Sequence, residues 1–285
     1  MKDYKYKEHE YAATILNEGF QTRRFGREVR IVAVYCREVL GLRRDQCKQR
    51  LINLCEKYMD GFNYAKHYGM INYALKQAYV KKVQLLTVDD IPIYEGEITY
   101  IDSLSVGRDC KRVLLAMLVT HKLNKAVAEL HGAENYTNIC FGGGKSKYRE
   151  LKTMSNIPPN VNISSQIIHE LGERRLVNIL HNGLISMDFI YNTSQTGEVA
   201  IRITDFSNVG LYYDKIHGDK RVKECCLCGG LYKPKTNNQR YCCGSCSAKA
   251  NISKTSERRK ANQKIVFDSE NTLNPALQAD SQPSK

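Results

Sequence analysis

Six of the eleven cysteines lie within residues 225–246, in two groups separated by a short loop. Cys225 and Cys228 form a C-x2-C pair in the first group. Two close pairs suit a tetrahedral metal ion, because each pair wraps one tight turn around the ion and the loop lets the turns face each other. Gly229 favours such a turn, since glycine lets the backbone curl so that its N–H groups point at the sulfurs. The spacing therefore predicts a metal site.

The second pair has two alternatives, because both Cys242 and Cys243 stand at a usable spacing from Cys246. We favour Cys242, and both alternatives stay open on spacing alone. Zn²⁺ is preferred over an iron–sulfur cluster because two pairs this close suit a closed structural tetrahedron. Disulfide pairing is disfavoured, since nothing in the sequence places the chain in an oxidising compartment.

The cysteine segment begins Cys-Cys-Leu-Cys-Gly-Gly-Leu-Tyr, continues through Gln-Arg-Tyr-Cys and ends in a basic helical stretch. This segment resembles a family of small zinc modules. These are the zinc ribbon or treble-clef modules of many bacterial and phage proteins, whose usual form reads C-x2-C-G, an aromatic, then Q-x-Y-C and a last cysteine four residues on. The resemblance implies that Tyr232 is the buried aromatic and that Tyr241 packs beside the third ligand. It also implies the four ligands Cys225, Cys228, Cys242 and Cys246.

This resemblance covers residues 225 to about 260 and specifies a metal-binding fold rather than a function. The rest of the chain resembles phage and prophage proteins of Gram-positive bacteria in general character, with no shared motif. The resemblance implies a phage or other mobile element as the source and a bacterial host cytoplasm as the location.

Positive charge is concentrated in two regions of this chain, whose formal net charge is +13. Residues 215–264 carry 13 Lys and Arg against 3 acids, and residues 21–50 carry 9 against 3. Such local excess attracts a polyanion, so nucleic acid, and DNA first, is the expected partner, with an acidic protein surface as the alternative. The helix predicted over residues 248–264 supplies the candidate phosphate-binding side chains Lys249, Lys254, Arg258, Arg259 and Lys260.

Apolar periodicity predicts an α+β, mainly α fold. Helices are expected over residues 27–80, a long helix over 109–130, a short strand over 136–141, and helices over 146–154 and 164–173, the last capped by Ser164. A hairpin turning at Asn182-Gly183 and a strand at 199–203 follow. Residues near Asp89-Asp90-Ile91-Pro92 are expected to form an acidic connector. The resulting domains are a helical basic region (1–86), a winged-helix middle domain (87–206), a zinc module with its basic helix (207–264) and a disordered tail (265–285).

The second helix of the winged-helix unit does not have the surface of a DNA reader. Its predicted outward side chains are Ser165, Gln166, His169, Glu170 and Glu173. The two carboxylates would repel phosphate, so this face is expected to serve architecture or protein contact.

The sequence favours a protein that is not an enzyme. The glycines before Lys145-Ser146 fail the phosphate-loop pattern, because Ile139 stands where the first glycine is required. A four-cysteine zinc site also has no open position at which to activate water. No segment suits a signal peptide or a membrane span, so we expect a cytoplasmic protein.

Two functions fit these features. The first is a non-enzymatic, zinc-containing nucleic-acid-binding protein that regulates or supports DNA transactions. The alternative is a counter-defence protein that binds and inhibits a host protein, using the zinc module and the N-terminal helices as contact surfaces.

Overall fold

The computed structural model describes residues 6–130, 132–133, 136–142, 145–181, 183–252 and 255. These residues are mainly helical, with small antiparallel sheets, which confirms the predicted α+β, mainly α class. The chain divides into two compact units, Met1–Gly210 and Leu211–Lys285. The finer division of the first unit into a basic helical region and a middle domain stays a prediction.

The first unit begins with a group of packed helices. They are α1 (Glu8–Glu18), α2 (Phe25–Glu38), α3 (Arg44–Tyr58) and α4 (Tyr64–Leu75), which continues as a π-helical segment over Lys76–Val80. Helix α2 packs against the other three and holds Val29, Ile31 and Val32 fully out of solvent. The helices predicted across residues 27–80 are therefore present, because their apolar residues recur at the spacing that builds one core.

The carboxylate of Glu28 is held inside this core. Glu28, which is 1% exposed, accepts hydrogen bonds from the hydroxyls of Tyr11 and Thr22. Its other oxygen accepts from the backbone N–H of Gln21 at 3.1 Å. Burial, and after it the hydrogen bond to Glu28, raises the pKa of Tyr11. The network ties α1 to the first turn of α2.

A two-stranded sheet joins distant parts of the first unit. Strand β1 (Ile91–Tyr94) pairs antiparallel with β5 (Val199–Ile203), with Ile91 opposite Ile203. Arg202 donates to Asp90 across this pairing at 2.8 Å, although 112 residues separate them. Strand β5 was predicted. The prediction of an acidic connector was wrong for Ile91 and Pro92, which belong to β1.

Helix α5 (Glu95–Ser103) and the long helix α6 (Arg108–Leu130) follow β1 and share a buried ion pair. The Nζ of Lys122 lies 2.6 Å from the Glu97 carboxylate and donates to the Pro92 carbonyl at 2.8 Å. It also lies 5.0 Å from the centre of the Tyr94 ring. Burial lowers the pKa of Lys122, while Glu97 opposes that shift. The lysine therefore links β1, α5 and α6.

The remainder of the first unit has the predicted order of helix, strand, helix, helix and hairpin. After α6 come β2 (Cys140–Gly142), α7 (Lys145–Met154), a π-helical segment (Ile163–Ile168) continuing as α8 (His169–Glu173), β3 (Asn178–Ile179) and β4 (Leu184–Ser186). The strands form an antiparallel sheet in the order β2-β4-β3. The assignment of this region as a winged helix stays a prediction. A 3-10 turn over Asp188–Asn192 follows β4.

The predicted cap of the second helix was wrong by two residues. The side chain of Asn162, not Ser164, accepts from the first backbone N–H groups, at 3.0 Å from that of Ser164. Asparagine precedes the serine and reaches the same N–H groups without entering the helix. In the hairpin, Gly183 has a φ of +76° and its N–H bonds the carbonyl of Leu180 at 2.9 Å. Asn182 lies outside the described residues.

The second unit begins within α9 (Val209–Ile216). A short antiparallel hairpin of β6 (Lys223–Glu224) and β7 (Leu231–Tyr232) follows, and residues 244–252 are helical. Among the described helices of the chain, none combines the length and apolar character that crossing a bilayer would require.

Candidate metal centre

The first cysteine pair lies in the turn that joins β6 to β7. The backbone N–H of Cys225 donates to the carbonyl of Gly230 at 3.0 Å, and the N–H of Gly229 donates back to the carbonyl of Cys225 at 2.9 Å. Gly229 has a φ of +68°, a conformation that favours glycine because it has no Cβ. The turn therefore folds Cys225 and Cys228 toward the same point.

The second pair lies where a helix begins. Cys242 and Cys243 precede the helical residues 244–252, so Cys246 lies in the first turn of that helix. A backbone hydrogen bond of 3.1 Å from Cys226 to the carbonyl of Arg240 joins this segment to the first turn. The two cysteine pairs are thus brought together by local backbone geometry.

The four sulfurs of the group form a compact cluster. The Sγ atoms of Cys225, Cys228, Cys242 and Cys246 all lie within 4.8 Å of one another. The Sγ of Cys242 is 3.6 Å from that of Cys228 and 3.6 Å from that of Cys246. A tetrahedron with metal–sulfur bonds of about 2.3 Å has edges of about 3.8 Å. The group could therefore hold a metal ion, and its donors are all sulfur.

The surroundings of two of these thiols shift their pKa values in opposite directions. Burial raises the pKa of Cys225, but hydrogen bonds to its sulfur outweigh burial and lower the pKa to about 6. These bonds come from the backbone N–H groups of Leu227, Cys228 and Cys242. Burial raises the pKa of Cys246 to about 12. Negative charges on adjacent sulfurs repel, so ionisation of all four thiols requires a cation between them.

The two remaining cysteines of this segment stand at the edge of the cluster. Cys226 and Cys243 are both exposed. The Sγ of Cys243 lies 3.7 Å from that of Cys242, but it also lies 3.0 Å from the Oγ of Ser245. The set of four mutually close sulfurs includes Cys242, the residue that the sequence favoured over Cys243.

Two tyrosines pack against the cysteine cluster. Tyr232 is buried and packs with Cys225 and Cys246, and Tyr241 is partly buried against the same group. The Tyr232 hydroxyl donates to the carbonyl of Gln239 at 2.6 Å. Tyr232 therefore occupies the position of the buried aromatic that the sequence resemblance implies.

The predicted phosphate-binding residues are only partly within the described structure. Lys249 is exposed on the helix that begins beside Cys246. The other four, Lys254, Arg258, Arg259 and Lys260, lie outside the described residues. The structure adds exposed basic side chains that the sequence analysis did not select, because they stand in turns and strands rather than on the basic helix. They are Lys220, Lys223, Lys235 and Arg240.

Comparison with known proteins returned no matching family, no similar curated protein and no similar solved structure. Function is therefore inferred from the residues of the site, the chemistry of their donor atoms and the charge around them.

Proposed function

We propose that the chain is a non-enzymatic DNA-binding protein whose C-terminal unit is held together by a zinc ion. The observation that carries this proposal is the set of four cysteine sulfurs within 4.8 Å of one another, in a segment with a large excess of positive charge. Its role would be to regulate or support DNA transactions. A phage or other mobile element as its source rests on the sequence resemblance alone.

The donor set supports zinc as the ion. Four cysteine sulfurs within 4.8 Å of one another, two of their separations being 3.6 Å, suit a closed tetrahedron of thiolates, a structural zinc site. When bound, zinc supplies four bonds to a segment that has only a few buried side chains of its own. Cys225 and Cys228 would hold the β-hairpin to the ion, and Cys242 and Cys246 the start of the helix. This hairpin-and-helix arrangement is that of a treble-clef module.

The charge around the site supports nucleic acid as the partner. Residues 215–264 carry ten more basic than acidic side chains. In the described part, Lys223, Lys235 and Arg240 are exposed on the hairpin and on the loop between the cysteine pairs. Lysine and arginine bind phosphate through charge-assisted hydrogen bonds and release condensed counterions, which gives affinity independent of base sequence.

A salt titration on duplex DNA tests this proposal. If the zinc module binds phosphates, the logarithm of the affinity falls linearly with the logarithm of the salt concentration, by about 0.9 per phosphate contact. Reversing the charges of Arg258, Arg259 and Lys260 to Glu then flattens the slope by roughly two to three units. Measuring the slope on several unrelated DNA sequences distinguishes phosphate binding from recognition of the bases.

The matched control reverses three exposed lysines of the first unit, Lys76, Lys81 and Lys82. This control has the same change in net charge, and the proposal requires that its slope stay near that of the wild type. Equal slopes for all three proteins, or no binding at low salt, would contradict the proposal.

One observation favours the second function, binding to a host protein. The outer face of the segment from Ile163 to Glu173 is exposed, polar and acidic at Glu173, while Ile167 and Leu171 are buried beneath it. An exposed carboxylate on this face suits a basic protein surface better than DNA. A pull-down from host cells in the presence of nuclease tests it, because a partner bound through DNA would be lost.

A further inference from the structure

The first unit contains a cleft between α3 and α4 that combines positive charge with aromatic rings. The cleft has a volume of about 170 Å³. Arg44 and Lys48 line it from α3, and Tyr64, Tyr68 and Asn72 line it from α4. Each set recurs every four residues, so each forms a row along one face of its helix. Two basic residues of α3 therefore face two tyrosines and an asparagine of α4, which we call the aromatic row after its two rings.

Tyr68 is the exposed member of the aromatic row, Tyr64 is half-buried, and neighbouring side chains contact both rings. Tyr68 is 51% exposed, and its ring meets that of Tyr64 edge-on at 5.8 Å. The Nδ2 of Asn72 donates to the Tyr68 hydroxyl at 3.4 Å. The Nζ of Lys48 lies 5.3 Å from the centre of the Tyr64 ring. The cleft thus presents a ring face beside an ammonium group.

The positive side chains at the start of α3 lie at the unfavourable end of that helix's dipole. Arg43 and Arg44 occupy the N-cap and the first position of α3, where the positive end of the helix dipole disfavours cations. Both side chains are exposed. Asp45 is the one carboxylate among the residues that line the cleft, so two cations outnumber it there. The charge at this end suits a bound anion.

We propose that this cleft binds a short stretch of single-stranded DNA, with a base stacked on Tyr68 and its phosphates beside Arg44 and Lys48. Phosphate next to an exposed ring is the chemistry of single-strand binding, in which aromatic side chains take the bases and cations follow the backbone. A duplex cannot use the rings, because its bases are stacked on each other. The choice of DNA over RNA rests on the proposed function of the chain.

Fluorescence anisotropy with labelled oligothymidylate of about 12 nucleotides tests the inference on the full chain. Tyr68→Ala is expected to weaken binding about tenfold, and Tyr68→Phe to retain it, since stacking needs the ring and not the hydroxyl. Tyr73→Ala is the matched control, because Tyr73 is 56% exposed on the same helix and does not line the cleft. Duplex DNA of the same length is the second arm, in which all four proteins should bind alike.

A photo-crosslink of the wild-type chain to an oligonucleotide containing 5-iodouracil gives a result that does not depend on the stability of any variant. We expect peptide mapping to place the crosslink at Tyr64 or Tyr68. Equal single-strand affinity for Tyr68→Ala and wild type, or crosslinks only outside α3 and α4, would overturn the inference. Tighter binding of the matching RNA would overturn the choice of DNA. If the wild-type chain binds the single strand but not the duplex, the result would count against the proposed function and leave the inference about the cleft in place.

Discussion

The Nζ of Lys233, directly after β7, lies 2.6 Å from the carboxylate of Asp214 on α9, and that carboxylate is fully buried. Lys233 is also 3.7 Å from the carboxylate of Asp219. The pair joins the helix at the start of the second unit to the hairpin that carries the first two cysteines. A buried carboxylate that lost this cation would keep its desolvation cost.

We expect Lys233→Met to destabilise the second unit by about 1–2 kcal/mol. Breaking a buried pair costs about 3–5 kcal/mol, and the smaller figure reflects the one-third exposure of the Lys233 side chain. Hydrogen exchange of the peptides covering residues 211–252 measures the effect. Lys220→Met, at an exposed position of the same unit, is the control and should leave exchange unchanged. If exchange in both variants is as slow as in the wild type, the Lys233–Asp214 pair contributes little to the stability of the second unit.

The hydrogen bond between Tyr11 and Glu28 predicts a pH-dependent difference in stability. Tyr11→Phe should lower the free energy of unfolding by about 1–2 kcal/mol at pH 7, because a buried carboxylate loses a donor. The pKa of Tyr11 is raised in the folded chain, so its contribution is complete below about pH 10 and is lost as the pH rises further.

Urea unfolding of both proteins between pH 7 and pH 11 measures this difference. The difference in the free energy of unfolding between wild type and Tyr11→Phe should shrink above pH 10, by up to about 1.4 kcal/mol per pH unit. Tyr73→Phe, at an exposed position, should track the wild type throughout. A gap that stays constant or widens with rising pH would contradict the assignment.

The cysteine cluster predicts which substitutions remove zinc. Cys228→Ser and Cys246→Ser should each lose most of the metal, because oxygen in place of one thiolate opens the tetrahedron. Cys226→Ser and Cys243→Ser are the matched controls, since both change an adjacent exposed cysteine. Elemental analysis should give about one equivalent for the wild type and the controls. If Cys243→Ser lost zinc and Cys242→Ser kept it, the third ligand would be Cys243 and not Cys242.

The carboxylates of the helical segment from Ile163 to Glu173 predict how that segment affects DNA binding. Glu170 accepts a hydrogen bond from the Cys110 thiol at 3.2 Å, whereas Glu173 is exposed. Changing both to Ala removes two charges that repel phosphate, so DNA affinity should stay equal or rise slightly. Filter binding on several sequences measures it. A marked, sequence-specific loss would mean that this helix reads bases.

Much of the fold could be predicted because its signals are local. Helix α6 follows from apolar residues at helical spacing over 22 positions, and it was placed within one residue of its start at Arg108. Strand β1 was missed because it is four residues long, contains Pro92 and finds its partner β5 more than a hundred residues later. A pairing that distant leaves no pattern within a sequence window.

The candidate site was predictable to a similar degree. The cysteine spacing identifies the pairs, because each pair is held by one turn of backbone. The closeness of Cys242 to both Cys228 and Cys246 depends on how the helix begins at residue 244, which spacing alone does not settle. The cleft between α3 and α4 was also missed as a site, because its two rows are joined only when the helices pack.

The most direct test of a zinc-dependent DNA-binding unit is the affinity for duplex DNA before and after zinc is removed by a chelator, and again after zinc is restored, measured at one fixed low salt concentration. We expect removal to weaken binding at least tenfold and zinc, but not magnesium, to restore it, because the ion holds the basic unit in its folded form. Affinity that is unchanged by removal of the zinc would contradict this expectation.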